Sequence, residues 1–92
     1  MSVYVDDQKN RFRGMIMCHM TADTREELDA MADTIGVDRR YIQKQGTEYE
    51  HYDICMQRRT LAVKAGAQQV TGRWVIMNVI WVKRDRLRTV TA

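Results

Sequence analysis

Proline is absent from this 92-residue chain, and glycine is scarce at five residues. No proline-, glycine- or serine-rich stretch separates one part from another, so 1–92 reads as one small domain without a linker. Cysteine is limited to Cys18 and Cys55, both within apolar segments. That excludes a disulfide-stapled scaffold and predicts reduced, buried thiols. Long hydrophobic runs are missing too. The longest, Val75 to Val82, is interrupted by Asn78, and crossing a bilayer takes about 20 residues. The start, Met1-Ser2-Val3-Tyr4-Val5-Asp6-Asp7, has no basic opening and no extended apolar stretch, so no signal peptide is expected. The expectation is a cytoplasmic protein without a membrane partner. No glycine-rich phosphate loop, nucleophile elbow, dinucleotide fingerprint or paired-cysteine motif occurs.

What is present is an ordinary globular mixture, 45% hydrophobic and 29% charged. The net charge of +3 is unevenly placed. Residues 73–92 hold five cations against Asp85 alone, whereas the remainder holds ten cations and eleven carboxylates. A basic end can contact nucleic acid, or it can be a solvated helix end whose cations complement the dipole.

The pattern predicts a strand at Val3-Tyr4-Val5, a polar loop over 8–14, and a strand over Met15 to Met20 that is apolar on both faces. Thr24 and Glu27 form a capping box. Leu28, Met31, Ala32 and Ile35 then follow at helical spacing, and Gly36 supplies the stop. A short strand is expected at Arg39 to Gln43 and a loop over Lys44 to Glu50. A second helix is expected from soon after Asp53 to about Ala65, its apolar face marked by Ile54, Leu61, Ala62 and Ala65. Gln69-Val70-Thr71 reads as a last short strand. Residues from Gly72 to Leu87 are ambiguous: the β-branched composition favours a strand, one in the middle of the sheet and buried on both faces, whereas the length without a turn signal and Thr71 as a cap favour a helix, and a helix is expected. The sum is an α/β fold: a small layered sandwich of a short sheet with about three helices.

Met17-Cys18-His19-Met20-Thr21-Ala22-Asp23-Thr24, Glu26-Glu27-Leu28, Ala32, Ile35-Gly36, His51-Tyr52-Asp53, Arg58-Arg59 and Ala65-Gly66-Ala67 stand in an order that resembles a bacterial and phage family, Domain of Unknown Function 4031. Val3-Tyr4-Val5-Asp6 fits the same pattern. The resemblance covers about 2–71. The loop Gln43 to Glu50 is longer than the family's link, and the basic, hydrophobic segment of about 72–92 reads as particular to this chain. The resemblance implies a cytosolic protein of a bacterium or a phage's host, and no reaction.

Polar residues gather at the ends of the expected elements, where strand ends and loops carry function. In open α/β sheets ligands bind beyond the carboxyl ends of strands. Asp6, His19, His51 and Asp53 are therefore the candidate acid, base or ion-holding groups. His19 falls on one strand face with Met15 and Met17. His19, His51 and an aspartate are expected to converge on one cleft. Asp7, Arg39, Tyr52, Arg58 and Arg59 are the candidates for contacting a phosphorylated ligand, His51-Tyr52-Asp53 lying before a helix N-terminus that favours anions. Asp53 also reads as that helix's cap. Arg58, on the inward side of the second helix, is expected to be partly buried and paired with a carboxylate. A divalent cation, Mg or Mn, would suit the carboxylates. Zinc from Cys18, His19, His51 and Cys55 is not expected, because adjacent strand residues point to opposite faces.

Two functions compete. One is a binder or hydrolase of a nucleotide or nucleic-acid end, acting through the His/Asp/Arg cluster. The other is a non-catalytic, phage-encoded interaction protein acting as an oligomer on a host partner. Trp74, Ile76, Met77, Val79, Ile80, Trp81 and Val82 are too many apolar groups for one side of a helix, which predicts a homo-oligomer through residues 74–82.

Overall fold

In the computed structural model, which describes residues 2–91, the chain forms an α/β sandwich of five strands and three helices. Met1 and Ala92, the ends of the expected 1–92 domain, lie outside the described residues. Strand β1 (Val3–Val5) is followed by β2 (Asn10–Phe12), β3 (Met15–Ala22), helix α1 (Arg25–Ile35), β4 (Tyr52–Cys55), helix α2 (Met56–Lys64) and β5 (Gln68–Gln69). The last helix, α3, covers 72–91, with a π-helical stretch at Ile76–Ile80 between α-helical turns.

Strand β3 is central. Its one edge pairs antiparallel with β1 and β2, the other with β4, and β5 adds parallel to β1. The β2–β3 turn is made by Arg13 and Gly14, both at positive φ (50° and 77°), the backbone that suits a tight hairpin. The stretch 8–14 is thus not all loop: three of its residues pair with Met15 to Met17.

Alternation along each strand separates two faces. Val3, Val5, Cys18, Met20, Ala22, Tyr52 and Ile54 are buried on one face and form a single core with Leu28, Ala32 and Ile35 of α1 and Ala62 of α2. Helix α1 follows its expected pattern: Thr24 caps the Glu27 N–H, and Gly36 ends the helix at φ 79°.

Three expectations fail. Residues Arg39–Tyr41 form a 3-10 turn capped by Asp38, not a strand; only Gln43 makes a β-bridge, to His51. The second helix runs over Met56–Lys64, within its expected stretch, but its expected apolar face does not hold, because Tyr52 to Cys55 are held as a strand against Met17 to Met20. Ile54 therefore packs from the sheet rather than from the helix, and Leu61 and Ala65 are exposed. Cys18 is buried as expected, whereas Cys55 is only partly so.

Candidate functional site

The opposite face of the sheet carries the polar residues. Val5 pairs with Met20, Cys18 with Ile54 and His19 with Asp53. The next position along β1 puts Asp6 opposite His19, and the Asp6 N–H donates to the His19 carbonyl at 3.0 Å. Register alone thus lines up carboxylate, imidazole and carboxylate across three strands, because cross-strand partners on one face are neighbours. His51 stands two residues before Asp53 and so shares its face.

Distances confirm one cluster. His19 Nδ1 lies 2.7 Å from Asp6 Oδ2, and His19 Nε2 lies 3.7 Å from Asp53 Oδ1. His51 Nε2 is 3.3 Å from the same Asp53 oxygen. The two imidazoles meet edge to face at 5.2 Å. The cluster sits on the face of the sheet and not beyond its carboxyl edge, because β3 runs on to Ala22 and leaves His19 inside the strand.

Asp6 is buried, at 4% exposure, yet held as an anion. Burial raises its pKa; the His19 ring and the backbone N–H groups of His19 and Gln8 outweigh that and hold it below the usual range. The Asp6 hydrogen bond raises the His19 pKa, against desolvation and with help from the charge of Asp53. The Cys18 thiol, on the core face, is pushed up to about 11 by burial, which makes it a poor nucleophile. Cys18 and His19 do face opposite ways, so the set Cys18, His19, His51 and Cys55 does not assemble.

Helix α3 lies across this face and leaves a cleft of about 710 Å³. Asp6, His19, Thr21 and His51 make a polar floor; Val75, Ile76, Met77, Ile80 and Trp81 make an apolar wall; Lys44 and Arg73 contribute cations. The helix is tied down along its length. Trp74 packs its ring on Tyr4 with centroids 5.1 Å apart. Lys83 Nζ reaches Thr21 Oγ1 at 3.5 Å, and burial lowers its pKa. Arg84 pairs with Glu48 at 3.2 Å and with Tyr49. At Gly72 the backbone comes close to the cleft floor: a Cβ there would meet Gln8 Nε2 at 3.1 Å, so that side chain would have to shift by a few tenths of an ångström.

Of the other expected ligand contacts, none lines this cleft. Tyr52 is fully buried on the core face and donates to Asp29 at 2.6 Å. Arg39 forms a two-pronged pair with Asp33 on the surface. Arg58 is partly buried but donates to the Ile35 carbonyl at 2.7 Å rather than to a carboxylate, so it satisfies the open end of α1. Arg59 donates to the Asp6 carbonyl and to Gln69. Asp7 accepts from the Gly72 N–H at 3.1 Å and anchors the start of α3. Asp53 caps no helix; Cys55 occupies that position without a side-chain bond. The cations that do line the cleft, Lys44 and Arg73, were not singled out. Thr21 could have been, since it lies two residues from His19 on one strand.

The family model described as a protein of unknown function, DUF4031, matches residues 3–80, and the chain belongs to this family. The match runs past Thr71 into the helix that walls the cleft, beyond the stretch 2–71 that carries the resemblance. No curated protein and no solved structure matches the chain.

Proposed function

With this family membership as the premise, we propose that the cleft binds and hydrolyses a phosphorylated ligand with an attached ring, a nucleotide or nucleic-acid end, with the His19, His51 and Asp53 cluster as its reactive centre. One observation carries the reading: a polar floor of imidazoles and carboxylates faces an apolar wall ending at Trp81, with Lys44 and Arg73 on the lining. An aromatic and aliphatic wall suits a base, worth about 1–3 kcal/mol when a base stacks on an aromatic ring, and the cations suit its phosphate. Asp6 acts as the positioning group for His19 rather than as a contact. Among the described residues no helix is long and apolar enough to cross a membrane.

A thermal-shift panel of nucleoside mono-, di- and triphosphates and 5′-phosphorylated oligonucleotides, with and without Mg²⁺ or Mn²⁺, tests this. A true ligand at 100 times its Kd adds about 2.7 kcal/mol to stability. Released phosphate, assayed on the compounds that shift the melt, tests hydrolysis. No shift with any member of the panel would discard the reading.

A second reading, a non-catalytic protein that self-associates and acts on a host partner, is favoured by the exposed apolar groups of α3. Val82, which does not line the cleft, and the cleft-wall residues Ile76, Met77 and Trp81 are each nearly half exposed, and such anchors are common in interfaces.

A further inference from the structure

The two imidazoles of the cluster are both turned the same way, and the reason is visible at their far sides. His19 Nδ1 is 2.7 Å from the Asp6 carboxylate, and His51 Nδ1 is 2.7 Å from the Tyr49 carbonyl. Both partners are acceptors only, so in the neutral ring each Nδ1 carries the proton and each Nε2 keeps its lone pair. One nitrogen of each ring and an Asp53 oxygen lie within 4.8 Å of one another, and both Nε2 atoms face the same Asp53 Oδ1, at 3.7 and 3.3 Å. Hydrogen-bonded carboxylates and carbonyls behind the imidazole are what orients histidine toward a metal and fixes its tautomer.

We propose that His19 Nε2, His51 Nε2 and the Asp53 carboxylate hold one divalent first-row transition-metal ion at the floor of the cleft. Imidazole-rich donors select such an ion over Mg²⁺, which prefers an all-oxygen shell. The separations of 3.3 and 3.7 Å to Asp53 Oδ1 are close to the roughly 3–3.4 Å that bonds of about 2.1 Å give at octahedral or tetrahedral angles. The charge also balances. Asp6 and Asp53 bring two negative charges, and an imidazole that ligates a metal does so as the neutral ring, so a divalent ion cancels them. Three protein donors leave coordination positions open to the cleft, where a bound water would be acidified. The inference shares its centre with the proposed function but stands independently of the ligand's identity.

Titration of chelator-treated protein with Co²⁺, followed by visible absorption and calorimetry, is the test. The expected result is one equivalent bound, with the d–d bands of nitrogen-coordinated cobalt. The His19→Ala/His51→Ala double variant, checked for folding by circular dichroism, should lose both signals. Asp6→Asn removes only the positioning group and should weaken binding about 10–100-fold. Co²⁺ binding that is equally tight in the double variant would overturn the proposal, as would the absence of the bands in folded wild-type protein. Co²⁺ binding with no response to nucleotides keeps the ion site and discards the nucleotide reading; nucleotide binding in EDTA without a cobalt signal does the reverse.

Discussion

The two faces of one sheet divide the work of this protein. On the α1/α2 face, Val5, Cys18, Met20, Tyr52 and Ile54 are at most 1% exposed, and the polar groups there are closed on themselves: Tyr52 donates to Asp29, which also binds Arg25, which binds Glu50. On the α3 face, Asp6, His19, Thr21 and His51 line an open cleft, and Asp53 stands beside both imidazoles. Neighbouring residues of one strand therefore face opposite ways, one set packed into the core and the other turned to the cleft in which the proposed chemistry takes place. The difference teaches that strand parity assigns the roles here, more than closeness to a strand's end.

Adjacent substitutions in β4 break the comparison most sharply. Ile54→Ala empties a fully buried site and should cost about 2–5 kcal/mol in urea unfolding. Asp53→Asn, one residue away but on the cleft face and half-exposed, should stay within about 0.5 kcal/mol. Similar losses for both would mean that the faces are not separate.

Tyr52→Phe is the next largest effect. It removes a hydrogen bond to a charged acceptor within the core-face network and should cost about 1.5–3 kcal/mol by the same measurement. A neutral result would show that Arg25 alone satisfies Asp29.

The pH dependence of the cleft face is smaller and has a defined sign. The folded His19 pKa is raised, so its contribution is complete below the unfolded value of about 6.5 and fades as pH rises through the folded one. The folded Asp6 pKa is lowered, so its contribution is present above about 3.9 and fades as pH falls through the folded one. In chelator-treated protein, the gap in urea midpoint between wild type and His19→Gln should be widest between about pH 4 and 6.5. A gap that widens steadily toward alkaline pH would contradict the Asp6–His19 pairing.

The outer side of α3 sharpens the comparison with the smallest effect on the fold. If it covers itself with a second copy, wild-type mass by sedimentation should exceed one chain at high concentration, and Val82→Glu should restore one chain without lowering the melting temperature. A wild-type monomer at every concentration would remove the oligomer.

Much of this division was legible in residue order, but not all. Helix α1 was, because Thr24, Glu27, the Leu28 to Ile35 stripe and Gly36 agree with one another. The final helix was legible only in part: Thr71 and length favour it, while its β-branched residues favour a central strand. Strand β4 was not: it runs straight into α2, with no turn residue between and only Cys55 at the cap, so Ile54 reads as a helical position. Strand β2 is three exposed residues whose partner lies across a turn, and its residues look like loop. At the site, Asp6, His19, His51 and Asp53 could be named from the sequence, but His19 and Asp53 lie inside β3 and β4 rather than at their ends, and strand parity is what brings the four together. The arginines could not be sorted, since Arg39, Arg58 and Arg59 are consumed by Asp33, by the Ile35 carbonyl, and by the Asp6 carbonyl and Gln69. The cleft's own cations and its Trp81 wall depend on α3 folding back over the sheet, a long-range event that local spacing does not report.

The claim that the cleft face is the binding face is tested most directly by mapping amide chemical shifts while a nucleoside monophosphate is added. The expected result is movement at His19, Thr21, His51, Arg73 and the Trp81 indole, with Leu28, Ala32 and Ala62 unmoved. Shifts concentrated on α1 and α2, with the His19 and Trp81 signals stationary, would contradict it.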